Sequence, residues 1–305
     1  MQDKRQVVFV WVMIFLLSFI NVFTQENNNG GVIYSNGGTE VTNYDRFKTN
    51  HPYKYSTTQE SLYLSTGLAA FVGGYLLQNT IQPVKYDEIY NLNKNNINSF
   101  DRFATNNGCQ TLANISDYAL ATLFVSPTLL LLDKDIRKDA LSTIVLYTET
   151  MLYAGAIPLY VKKFVPRFRP YTYNSRLSLD TRLSADARTS FFSGHTTTAF
   201  ASAVFLAKVY SDYNPQSKYT PYIWVGTLAS ASFIAYLRVA SGYHFPTDVI
   251  TSTAVGSAIG YLIPYLHQKE KERNSSNLGE SKNFDYSFIP YCTENQLGLS
   301  MQMNF

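Results

Sequence analysis

Arg238-Val239-Ala240-Ser241-Gly242-Tyr243-His244-Phe245-Pro246-Thr247-Asp248 places a cation, an imidazole and a carboxylate within eleven residues, between two apolar runs. The imidazole is informative because the 305-residue chain holds only four histidines: His51, His195, His244 and His267. A second lies in Phe192-Ser193-Gly194-His195, at the start of another apolar run. Upstream, Lys162-Lys163-Phe164-Val165-Pro166-Arg167-Phe168-Arg169-Pro170 gathers four cations into eight residues at the end of a third run. A phosphate suits such a set, since several fixed cations match its spread charge.

The scaffold follows from the apolar runs near 61–78, 117–132, 140–161, 196–210, 221–240 and 248–266. They lack strand alternation, and small residues recur within them, as from Ala199 to Ala203 and from Ala254 to Gly260, which lets helices approach closely. An all-α bundle of about six helices is predicted. Lys162 to Pro170 follows the third helix, Ser193 opens the fourth, Arg238 closes the fifth and Asp248 begins the sixth. In an antiparallel bundle those ends share one side, so order and spacing alone predict a single site at one end. Ser193 is a good N-cap, Gly194 lets backbone approach a ligand, and Pro246 fits a first helical turn. Free N–H groups at helix N-termini suit an oxyanion.

Composition limits the classes. With 46% hydrophobic and 15% charged residues, the chain forms one sizeable core or a membrane bundle, and a net charge of +3 is too weak to suggest nucleic acid. Twenty-four tyrosines and 20 phenylalanines favour a wet and apolar boundary. Lys4 and Arg5 before the apolar run Val7 to Ile20 make residues 1–24 a signal peptide or an uncleaved anchor, and export follows either way. A polar arm at 25–59 holds His51 as a loop histidine. The asparagine-rich connection from Asn79 to Asn114, with a short helix near 97–104, is long enough to be expected to cover something. Basic residues at the far helix ends (Lys134 to Lys138, Lys208, Lys218, Lys269 to Arg273) fit a cytoplasmic side and put the site outside. Against a threaded bundle stand a mean hydropathy of −0.12, short runs, and Glu149 midway along the third helix, so spanning and peripheral arrangements both stay open. The alternating tail within 271–305 predicts a short C-terminal β-hairpin. Cys109 and Cys292 leave a disulfide and two free thiols equally open.

Lys162, six residues, Arg169-Pro170; Ser193-Gly194-His195; and Arg238, five residues, His244, three residues, Asp248 together resemble the motifs of the type 2 phosphatidic acid phosphatase superfamily. That superfamily includes bacterial acid phosphatases and vanadium haloperoxidases. The resemblance covers about 60–270, the expected helical domain. Phe192 stands where the family commonly has proline and Leu237 where it has serine; neither position carries chemistry. The resemblance implies His244 as nucleophile, forming phosphohistidine, with Asp248 on its other ring nitrogen and His195 as general acid and then base. It implies that Lys162, Arg169, Arg238, Ser193 and the Gly194 N–H bind the phosphate, and that no metal or cofactor is needed. The expected function is hydrolysis of a phosphomonoester or pyrophosphate of a lipid, by a membrane-associated enzyme facing the periplasm. A soluble non-specific acid phosphatase and a vanadate-dependent haloperoxidase are the alternatives; vanadate is an inhibitor in the first reading and a cofactor in the last. Lys163 and Arg167 fall outside the motif and are expected to be solvated or to meet lipid headgroups, while Tyr171, Tyr173 and Tyr243 line a substrate path or simply pack.

Overall fold

A computed structural model describes residues 52–268 and, for backbone only, 285–293 and 296–304. The expected leader at 1–24, most of the polar arm and His51 lie outside the described residues. Two units are separated, Met1–Lys269 and Glu270–Phe305. The expected hairpin falls in the second, where the backbone of Asp285–Thr293 runs antiparallel to Gln296–Asn304; its side chains lie outside the described residues.

The first unit is a helical bundle, and 76% of the described structure is helix. Ten α-helices occur among the described residues rather than about six. Six are long: α1 Thr57–Gln78, α4 Gln110–Val125, α6 Ala140–Phe164, α8 Gly194–Tyr213, α9 Thr220–Ala240 and α10 Pro246–Leu266. The other four are single turns in the connections: α2 Tyr86–Tyr90, α3 Ser99–Arg102, α5 Lys134–Lys138 and α7 Leu179–Arg182. Local caps make three of these, with Asn98, Asp133 and Ser178 side chains accepting N–H groups of the first turn. α3 lies within the short helix expected near 97–104; a search for apolar runs does not see the other three.

α8 is the central helix, buried along most of its length from Thr196 to Val209. α10 lies against it closely enough that a Cβ at Gly256 would sit 2.3 Å from the Thr197 carbonyl oxygen, and one at Gly260 2.5 Å from that of Ala201. The small-residue pattern thus does what was expected of it. α6 is the second buried helix. Gly67 meets Leu152 and Gly74 meets Leu159, so α1 runs parallel to α6, and both head toward the Lys162 end. Chain direction alternates through the six long helices, which brings the ends of α6 and α9 and the starts of α4, α8 and α10 together.

The outer helices carry apolar side chains outward, among them Tyr222, Val225, Phe233 and Tyr236 on α9 and Ile250, Tyr261, Leu262 and Leu266 on α10. Gln110–Leu132 (α4 with its 3₁₀ extension), α6, α9 and α10 are long and apolar enough to cross a membrane. Exposed apolar surface on this scale marks membrane association. Lys208 departs from the basic-loop reading: it is 6% exposed and paired with Asp212 at 2.6 Å.

Candidate active site

The turn from α9 into α10 is shaped by Gly242, whose φ of +78° and closeness to the Asn107 carbonyl, 2.7 Å from where a Cβ would stand, leave no room for a side chain. His244 follows, 1% exposed, and its N–H donates to the Arg238 carbonyl at 3.2 Å. The ring meets the Ser190 carbonyl through Nδ1 at 2.6 Å. A carbonyl only accepts, so Nδ1 carries the proton and Nε2 keeps its lone pair. Burial, then Arg169, Arg238 and Lys162, hold this imidazole well below its ordinary pKa, and it is neutral at pH 7.

Asp248 differs from its expected place. Its Oδ2 lies 3.9 Å from His244 Nδ1, too far for a hydrogen bond. That oxygen accepts from Ser190 Oγ at 2.6 Å and Phe245 N–H at 2.8 Å. Ser190 therefore holds both groups, the imidazole by its carbonyl and the carboxylate by its hydroxyl.

Arg167 is likewise not the solvated cation expected. Its guanidinium bridges Asp248 and Asp101, the latter at 2.8 Å, and lies over the Phe245 ring. Asp101, fully buried, also accepts from Thr247 N–H at 3.0 Å and Thr247 Oγ1 at 2.6 Å. It comes from the asparagine-rich connection, which does cover the site. Replacing Arg167 by Met leaves two buried carboxylates without their shared cation, and breaking such an arrangement costs about 3–5 kcal/mol. A clear fall in melting temperature is expected, smaller for Arg167→Lys, which reaches one carboxylate; unchanged melting would mean the bridge stabilises nothing.

The phosphate-binding candidates converge. Arg169 is fixed by Asp186 at 2.7 Å and Thr189 at 2.9 Å, and Arg238 by Ser116 at 2.9 Å and Asp117 at 3.4 Å. Both guanidinium groups lie over the Tyr243 ring, at 4.9 and 4.4 Å from its centroid. Tyr243 is thus a platform for two cations, with Tyr171 packed edge-on behind it at 5.3 Å. Tyr173 packs against Phe245. Arg238 Nε is buried without a partner, and Lys162 Nζ makes no hydrogen bond among the described residues. These donors suit an oxyanion. A Cβ on Gly194 would come 3.8 Å from Lys162 Nζ, so the bare backbone at the start of α8 faces the same space. Ser193 caps α8 as expected, its Oγ accepting from Thr196 N–H at 3.3 Å. Lys163 turns away to Thr80, at 2.5 Å.

His195 is paired through Nε2 with Asp117 at 2.8 Å. Burial, then Arg238, push its pKa down to about 4 against the pull of Asp117. Asp101, Asp117, Asp186 and Ser190 escaped the motif reading. Asp117 alone left a trace, as a carboxylate at the start of an apolar run on a helix that begins at the site end.

Cations that follow α6 and close α9 thus surround a neutral imidazole, and residues 143–272 match the model of the PAP2 superfamily. The motif resemblance is borne out, and Asp101 and Asp117 lie outside the matched residues. The chain is also similar to the lipid A 4'-phosphatase of Porphyromonas gingivalis, 28% identical over 116 residues. That match covers 37% of this chain and 46% of the relative, so the chain spans less than half of that protein's length.

Proposed function

We propose that the protein is a metal-independent phosphatase that hydrolyses a phosphomonoester or pyrophosphate of a lipid through a phosphohistidine at His244. The observation that carries this is the Ser190 carbonyl on His244 Nδ1 at 2.6 Å, which leaves Nε2 unprotonated among Lys162, Arg169 and Arg238. Nε2 attacks phosphorus in line, the bond to the leaving oxygen breaks, and His195 gives that oxygen a proton. His195 then takes a proton from water, whose oxygen attacks phosphorus and breaks the P–N bond. Lys162, the two arginines and the Gly194 N–H hold the charge that moves between oxygens. His195 is neutral in the free site; a bound phosphate dianion offsets Arg238 and Lys162, so substrate and acidic proton arrive together.

In this reading residues 60–270 form the catalytic domain, with the site facing the periplasm after export directed by 1–24. The apolar outer helices support a lipid substrate, and the relative's name makes lipid A the first to try. Phosphate release would be measured with lipid A, phosphatidate, lysophosphatidate, prenyl pyrophosphates and water-soluble esters. Orthovanadate should inhibit competitively, since it takes the five-coordinate geometry of the transferring group. EDTA should leave turnover unchanged below the melting temperature of the chelated protein. Loss of turnover in EDTA with the fold intact, restored by magnesium or zinc, would overturn the metal-free mechanism.

A further inference from the structure

Far from that site, Glu60 in the first turn of α1, Glu149 in α6 and His267 just past α10 bring their ligating atoms within 4.8 Å of one another. Glu149 stands thirteen residues before Lys162 on the same helix, about 20 Å away at 1.5 Å per residue. Glu60 is 3% exposed and Glu149 1%, and the His267 side chain 10%. His267 Nδ1 meets the Ile263 carbonyl at 2.7 Å, so Nδ1 is the donor and Nε2 is turned to the carboxylates. Its own carbonyl accepts from Lys54 N–H at 2.6 Å, and the Tyr63 ring packs edge-on at 5.6 Å. The ring is therefore held on two sides and its backbone on a third.

Nε2 stands 3.3 Å from Glu60 Oε2 and 3.6 Å from Glu149 Oε2. His267 Nε2, Glu60 Oε2 and Glu149 Oε1 are all buried without a hydrogen-bond partner. Charge-assisted hydrogen bonds run to about 2.7–2.9 Å, so a proton on Nε2 would make only long bonds at these separations. A tetrahedral zinc ion fits them: bonds of about 2.0–2.2 Å place neighbouring ligand atoms roughly 3.3–3.6 Å apart. Convergent acceptors shut away from water need a cation between them, and an imidazole with its other nitrogen tied to a carbonyl is the usual arrangement of a histidine ligand.

We propose that Glu60, Glu149 and His267 bind a zinc ion that ties α1, α6 and the end of α10 together, apart from the catalytic end. Three protein ligands leave the fourth tetrahedral position to an enclosed water or to a second carboxylate oxygen; the ion's role is structural, and it takes no part in the phosphatase reading. The full chain would be purified without chelator and its metal content measured, then stripped with EDTA and titrated with zinc alone while melting is followed. About one zinc per chain is expected, with a rise in melting temperature of roughly 5–10 °C at zinc one hundred times its dissociation constant. Both should vanish in Glu149→Gln, which keeps the side-chain volume, and in Glu60→Gln should the first not fold. No zinc on the folded wild-type chain, with melting that follows pH and ignores zinc, would replace the metal with a proton shared by the three groups and overturn the proposal. Equal zinc binding by wild type and a folded Gln variant would also overturn it, as an adventitious ion only.

Discussion

Replacing His244 by Ala is expected to abolish turnover of every substrate, poor alkyl leaving group or p-nitrophenolate alike, by on the order of 10⁴-fold or more, as loss of a nucleophile does. Nothing else among the site residues can take its place. In the proposed mechanism Lys162 and the arginines bind oxygen rather than attack phosphorus, and His195 is engaged with Asp117 at 2.8 Å. Phosphate and vanadate should still bind, because Lys162 hangs from α6, Arg169 from the segment after it and Arg238 from α9, none of which His244 builds. His244→Gln keeps more of the side-chain volume and controls for collapse of the turn. Isothermal titration with vanadate beside a turnover assay separates the cases. Residual activity within tenfold of wild type, in a variant that binds vanadate normally, would remove His244 from the nucleophile's role. Asp248→Asn supplies a contrast. With Oδ2 3.9 Å from the ring, this carboxylate acts through Ser190, Phe245 and Arg167, so the variant should lose stability along with activity.

Much of this site was legible because its chemistry is spelled in contiguous motifs. Lys162, Arg169, Ser193, Gly194, His195, Arg238, His244 and Asp248 sit at helix ends, and alternation of six apolar runs fixes which ends meet. What the motifs could not convey is which group each one touches. Arg167 looked spare because its two partners, Asp101 and Asp248, stand 66 and 81 positions away in sequence. Ser190 drew no notice because half of its contribution is a backbone carbonyl, which any residue type supplies. Of the short helices only α3, within the stretch near 97–104, was expected; the others lack an apolar period, and two of them, α5 and α7, are made by single side-chain caps. Glu149 was noticed as a charge midway along an apolar run, but its partners come from the first turn of α1 and from beyond α10, and no spacing rule connects them.

His195→Ala should separate substrates by leaving group. An alkoxide leaves badly without a proton, and general acid catalysis is worth about 10²- to 10⁴-fold, whereas p-nitrophenolate needs little help. Phosphoryl transfer from p-nitrophenyl phosphate to His244 should therefore be largely spared. The second half of the cycle needs His195 as the base that activates water, so the variant should release a burst of p-nitrophenol near one per site and then stall as phosphoenzyme. Rapid mixing measures the burst, and acid-labile, base-stable phosphate on the protein identifies the stalled species. Acidity adds an independent check. With its pKa down at about 4 in the free site, His195 is protonated only at low pH, so kcat/KM for alkyl esters should fall as pH rises above that value. Asp117 is the group that pulls this pKa upward, so Asp117→Asn should move the same limb to still lower pH, and His195→Ala should erase it. Equal loss on both substrate types, with neither burst nor trapped phosphate, would show that His195 binds or positions rather than moves the proton.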